Sequence, residues 1–155
     1  MSPLYDTDLY AWALEQAALL REGAVAELDL QNLAEAIEDL ARSDRRALDS
    51  HLRNLLVHLL KWQYQPSGRL TGHSWRSSIR NPRIEIAEIV EDSRTLERLV
   101  PGLIVRWDPN ARQQAAEETG LPLATFPETC PWEVAQVLDH GFYPGDETCG
   151  HERIR

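Results

Sequence analysis

The sequence predicts an all-α protein: a single-domain helical bundle of five to seven helices arranged around one long central helix. Three observations carry this. Apolar residues recur at intervals of three and four, the period of helices. Alternating apolar-polar runs of strand length are nearly absent, Arg83-Ile84-Glu85-Ile86 being the one short candidate. The breaks between periodic stretches fall at capping residues, glycines and prolines, which start and stop helices.

The elements follow in order. Asp6 or Thr7 can cap a first helix, since either side chain accepts from the orphan amides of a first turn. Its stripe runs through Leu9, Trp12, Ala13, Gln16, Leu19 and Leu20, and Gly23 supplies the left-handed stop. A short turn covers 24–28, and Asp29 then caps the longest element. Leu30, Leu33, Ile37, Leu40, Leu48, Leu52, Leu55, Leu59 and Trp62 keep helical spacing until Pro66 and Gly68. About 35 residues at ~1.5 Å each give roughly 50 Å. The stripe weakens across 41–47, where Ser43 and Asp44 occupy inward positions, so the helix either bends there or meets something polar. Trp75, Ile79, Ile86, Ile89 and Val90 mark the next stripe. Asn81-Pro82 divides it, leaving open one kinked helix from Ser74 to Glu91 or a new helix capped by Asn81. Asp92 or Ser93 opens the following stretch, punctuated by Pro101-Gly102. Asp108-Pro109 has the form of a cap with proline at the first helical position, before an alanine-rich helix ending at Gly120. A last helix starts in Thr129-Cys130-Pro131-Trp132-Glu133 and stops near Gly141. The expected domain is 1–155, with a core over about 4–144 and a polar, frayed tail over 145–155.

Composition narrows the class. A chain of 155 residues holds a core that needs no disulfide or metal. It contains no run of 18 apolar residues of the kind that spans a bilayer. Its first dozen residues lack the basic and apolar regions of a secretory signal, and Cys130 and Cys149 make no disulfide framework. A cytoplasmic setting is expected. The net charge of −9 and pI near 5.0 exclude a nucleic-acid binder working by global charge.

The charge is unevenly distributed. Residues 50–84 contain no aspartate or glutamate and carry +6, against −15 in the remaining 120 residues. Arg53, Lys61, Arg69, Arg76, Arg80 and Arg83 are interleaved there with His51, His58 and His73 and with the aromatics Trp62, Tyr64 and Trp75. Cationic grooves with stacking aromatics hold single-stranded nucleic acid, so this window is the candidate functional surface. Its residues are His51, His58, Lys61, Trp62, Tyr64, Trp75, Arg76, Arg80 and Arg83. The plainer account places Trp62 and Trp75 as core anchors flanking the loop 66–72, with the arginines pairing to acids of this chain or of a second copy.

Other constellations are weaker. Asp44, His51 and His58 repeat every seven residues, which separates the imidazoles by ~10.5 Å along the axis, whereas histidines of one helix share a metal at closer spacing. His73 or Glu35 would have to complete such a site; an interhelical polar seam is the expectation, with no metal and no cofactor. Glu35, Glu38 and Asp39, continued by Asp44, Arg45 and Arg46, are the ordinary solvated pairs of a helix surface. Cys130 before Pro131 could be activated by a helix start, though capping alone explains its place. No nucleophile elbow, phosphate loop or dinucleotide fingerprint is present.

The runs DLYAW at 8–12, NLAEAIEDLARSDRRALDSHL at 32–52, HLLKWQYQP at 58–66, HSWRSSIR at 73–80 and EETGLPLATFPETCPW at 117–132 appear in a recognisable order. Together they resemble the bacterial family of domain of unknown function 29, over roughly residues 4–144. The resemblance implies a small, soluble, all-α protein, mostly bacterial and cyanobacterial. It implies no established activity and so assigns no catalytic residue. The expected role is a protein-protein interaction or regulatory module without catalysis, and a homodimer, because the long helix outruns one small bundle. Two alternatives stand beside it: a nucleic-acid-binding accessory protein using 50–84, and a metal-assisted hydrolase using His51 and His58.

Overall fold

The computed structural model describes residues 3–65 and 74–145. Among them lie six α-helices and no strand: α1 (Pro3–Thr7), α2 (Leu9–Glu22), α3 (Leu30–Tyr64), α4 (Ser74–Asp92), α5 (Arg94–Thr119) and α6 (Val134–Leu138). Short 3₁₀ turns cover Val25–Glu27 and Leu123–Thr125. The long helix α3 has 35 residues. The chain divides into two compact units, 1–44 and 45–155, with α3 contributing to each.

In the first unit the cap of α2 is Asp8, whose carboxylate accepts from the Ala11 amide at 3.0 Å. The expected caps, Asp6 and Thr7, instead belong to the short α1, where the Thr7 hydroxyl donates to the Pro3 carbonyl at 3.1 Å. Gly23 closes α2 as expected, at φ 72°, with the Ala24 amide reaching back to the Leu19 carbonyl at 3.0 Å. A polar network then joins α2 to the start of α3. The Trp12 indole donates to Asp29 at 3.2 Å and the Asn32 amide donates to the same oxygen at 2.8 Å. The Asp29 amide donates to the Gln16 side chain at 2.8 Å. Trp12, Gln16 and Asn32 are the buried residues of this unit.

Joining through Asn32 leaves the apolar stripe of α3 turned away. Leu30, Ile37 and Leu40 are 63%, 66% and 68% exposed. Positions 38–46 are exposed too. The weak stretch around Ser43 and Asp44 is a solvated part of the helix.

The second unit holds the core. Leu48, Leu52, Leu55 and Leu59 of α3 are fully buried, together with Ile79 and Ile86 of α4, Val100 and Ile104 of α5, and Phe126 and Val137 beyond it. α4 runs unbroken through Pro82, which settles the choice left open at Asn81-Pro82. The strand candidate 83–86 lies inside this helix. α5 likewise continues through Pro101, Gly102 and Pro109, from a Ser93 cap that accepts from Leu96 to a left-handed stop at Gly120. Asp108 is thus no cap: it is a buried residue within α5, 5% exposed. Two prolines in one helix interior are costly, and packing of Leu103, Ile104, Ala111 and Ala115 on the core offsets that. α6 starts beyond Pro131 as expected, with Glu133 and Gln136 in a capping box, but spans only five residues.

Candidate functional site

Most cations of the acid-poor window are spent on this chain's own aromatic rings and carbonyls. The Arg76 guanidinium stands 5.3 Å from the Trp62 ring and 4.7 Å from that of Tyr143, within cation-π reach of both. Trp62, 3% exposed, is further tilted against Tyr143 with centroids 5.0 Å apart. The Lys61 ammonium lies 5.4 Å from the Trp75 ring and bridges to Glu118 at 3.2 Å. Arg53 lies 5.5 Å from Trp107. Tyr64 meets Phe126 edge-on at 5.4 Å. Trp62 is buried and Trp75 half-buried against the core. The loop they were expected to flank, with His73, Arg69 and the end of the HLLKWQYQP run, falls outside the described residues.

Arg83 is the most deeply placed cation, 1% exposed. Its Nε donates to the Val137 carbonyl at 2.9 Å and its Nη2 to that of Gln136 at 3.4 Å, with the guanidinium 5.6 Å from the Tyr143 ring. The carbonyls at the end of a helix lack intrahelical donors, so Arg83 fastens the short α6 to α4. Burial pulls its pKa down from the usual arginine range, while Tyr143 and Asp139 oppose that. The sequence window marked these residues as special, but their partners, Tyr143, Phe126 and Trp107, lay outside it. The aromatics of 126–143 were the available signal.

The same geometry bears on stacking. A base needs an open aromatic face, and Arg76 and Lys61 lie over those of Trp62 and Trp75. Arg80 is exposed. His58 is partly buried, and its pKa is pulled below the usual 6.5 by burial first and by Lys61 second, with Glu118 opposing. Among the described residues no three histidine, cysteine, aspartate or glutamate side chains converge as metal ligands. Glu35, Glu38 and Asp39 are exposed, and Arg42 pairs with Asp39 at 2.6 Å and with Glu38 at 3.6 Å.

Two features were not legible in the window. One is a cleft of about 720 Å³ between α5 and the segment 128–134, walled by Pro101, Ile104, Val105, Pro109, Trp132 and Val134. Asp108, Glu128, Glu133 and Cys130 complete it. Burial raises the pKa of Asp108, opposed by Arg112. Burial also raises that of Cys130, so this thiol is not the activated thiolate a helix start would make; it donates to the Trp132 carbonyl at 3.5 Å. The other is the apolar surface of the first unit. Of eleven large hydrophobic side chains exposed among the described residues, eight fall within 1–44. Tyr10, Leu14 and Leu20 lie on α2, Leu30, Ile37 and Leu40 on α3.

The architecture defines an all-helical protein with one 35-residue helix shared between a packed core and an apolar surface. The chain belongs to the family Domain of unknown function DUF29, whose model matches residues 4–143 as one domain spanning both units. No curated protein and no solved structure matches it. No helix among the described residues is long and apolar enough to cross a membrane.

Proposed function

We propose that this protein works by binding, as a non-catalytic protein-protein interaction module. Its receiving surface is the apolar face of residues 1–44, and the occupant is a basic amphipathic helix of another protein. One observation carries the proposal: eight large hydrophobics are exposed on 44 residues. A concentration of exposed large apolar side chains is the mark of an interaction surface. On α3 the exposed Leu30, Ile37 and Leu40, with the half-buried Leu33 between them, keep the spacing by which one helix receives another.

Charge selects the occupant. Residues 1–44 hold ten acids and two arginines, a net −8. Acidic side chains flank the apolar stripe, Glu35, Glu38 and Asp39 among them, all exposed. A second copy laid on the same face would bring two such fields together, whereas a lysine- or arginine-flanked helix meets opposite charge on approach. A regulatory role in a cytoplasmic setting belongs to the same proposal.

Full-length protein titrated with a synthetic leucine-striped helix bearing lysine flanks tests it, beside the same peptide with glutamate flanks. The lysine peptide should bind, weakening as salt rises, and Ile37→Glu with Leu40→Glu should abolish binding without lowering the melting temperature. Equal binding of both peptides would overturn the charge argument. A concentration-dependent dimer by sedimentation, dissociated by the same double change, would replace the foreign helix with a second copy.

A further inference from the structure

We propose that the cleft between α5 and residues 128–134 is a binding site for a small organic amine, a molecule with an apolar body and one protonated nitrogen. Its volume of about 720 Å³ is that of a small-molecule site, and such sites combine apolar walls with a few polar groups that fix orientation. Here Ile104, Val105, Trp132 and Val134 supply the walls and three carboxyl groups supply the polarity. Among the described residues no lysine, arginine or histidine lines it. The site lies wholly in the second unit, apart from the face proposed to receive a partner.

Asp108 is the reason the ligand carries a positive charge. It is 5% exposed, lines the cleft, and receives no hydrogen bond among the described residues. A largely buried carboxylate that no protein group donates to favours a donor arriving from the cleft it lines. The nearest cation on its own helix, Arg112, is committed elsewhere: its Nε donates to the Phe126 carbonyl at 3.1 Å and its Nη2 to the Leu123 carbonyl at 3.1 Å. A protonated amine placed in the cleft supplies the donor that Asp108 lacks and adds to the positive charge that Arg112 provides from outside the cleft. Burial raises the Asp108 pKa in the cleft, and an ammonium opposes that by favouring the carboxylate. Two further features suit the same ligand. Pro109 has no N–H to close on the Val105 carbonyl, which leaves an acceptor on a residue that lines the cleft. Trp132, an aromatic residue of the kind cations prefer, also lines the cleft. Glu128 and Glu133, both exposed, extend the negative field outward.

Calorimetric titration of the full chain at neutral pH with phenethylamine, 2-phenylethanol and 3-phenylpropionate separates charge from apolar body. Phenethylamine should saturate at one per chain and shift the backbone resonances of 101–109 and 128–134. The alcohol should bind roughly tenfold or more weakly, the difference expected of a lost charge-assisted hydrogen bond, and the carboxylate weakest of all. Asp108→Asn, which keeps shape, should bring the amine down to the level of the alcohol. Val105→Trp, at a rim position 74% exposed, narrows the cleft without touching the core and should block amine and alcohol alike. Equal affinities for amine and alcohol, an amine affinity unchanged in Asp108→Asn, resonance shifts elsewhere, or no saturation with the amine would each overturn the assignment.

Discussion

Helix α3 is an internal comparison. Its first part carries Leu30, Ile37 and Leu40 at 63–68% exposure; its second carries Leu48, Leu52, Leu55 and Leu59 at 0%. Both parts carry branched aliphatic side chains at helical spacing on one helix. What differs is the cover. In 45–145, α4, α5 and the aromatic segment 126–143 close over the leucines. In 1–44, α2 joins α3 through Asp29 and Asn32 instead. A polar network so placed spends the helix-helix contact on hydrogen bonds and leaves the stripe bare. Apolar periodicity therefore states a capacity for burial; the neighbouring elements decide whether it is used within the chain or offered to a partner.

The largest effects should come from the covered half. Trp62→Ala removes a ring 3% exposed, packed on Tyr143 and under Arg76, and should cost about 3–5 kcal/mol in urea denaturation, with Leu52→Ala close behind at about 2–5. An unchanged denaturation midpoint for either would mean that the second unit is not the stability-bearing part. Arg83→Leu comes next. It preserves bulk but takes the guanidinium donors from the Val137 and Gln136 carbonyls, leaving Gln136 only the Asp139 amide at 3.3 Å, a loss of about 1–3 kcal/mol. Arg83→Lys should recover part of it, since one ammonium replaces a fork. Full recovery by lysine would show that charge alone, and not the two-pronged geometry, holds α6.

These particulars explain how far the sequence was legible. Helix content, the 35-residue α3, the Gly23 and Gly120 stops and the burial of Trp62 follow from local chemistry: spacing, left-handed glycines and apolar stripes. The prolines misled, because Asp108-Pro109 has the form of a helix start while Leu103 to Ala115 gain enough from the core to carry α5 straight through. The basic window stood out in composition, but its partners Tyr143, Phe126 and Trp107 are distant in sequence, so no local pattern could pair them. The amine cleft was invisible for the same reason. It needs Asp108 and Trp132 together, and only the fold of 120–134 back along α5 brings them there.

A smaller effect lies in pH dependence. His58 in the folded chain has its pKa held below the ordinary 6.5, chiefly by burial. The unfolded chain thus binds that proton more readily, so stability is complete above 6.5 and falls as pH drops through 6.5 toward the folded value. His58→Gln should flatten the slope of melting temperature against pH in that window. If the slope persists unchanged, another group carries it and the His58, Lys61 and Glu118 cluster is not the proton-sensitive part of the covered half.

The smallest expected effect is the most telling, because it takes the same substitution to the other half of the same helix. Leu40→Ala removes a side chain 68% exposed, so truncation opens no buried cavity. Alanine is at least as good a helix former as leucine, so α3 itself loses nothing. Unfolding free energy should stay within about 0.5 kcal/mol of the parent, against several for Leu52→Ala in the covered half. A loss comparable to that of Leu52 would mean that Leu40 is covered in solution, by a second copy if the loss depends on protein concentration and by the chain itself if it does not. With stability unchanged, Leu40→Ala becomes the clean probe of the proposed partner face. Its only remaining consequence should be weaker capture of the lysine-flanked helix, an effect on association that folding measurements do not see.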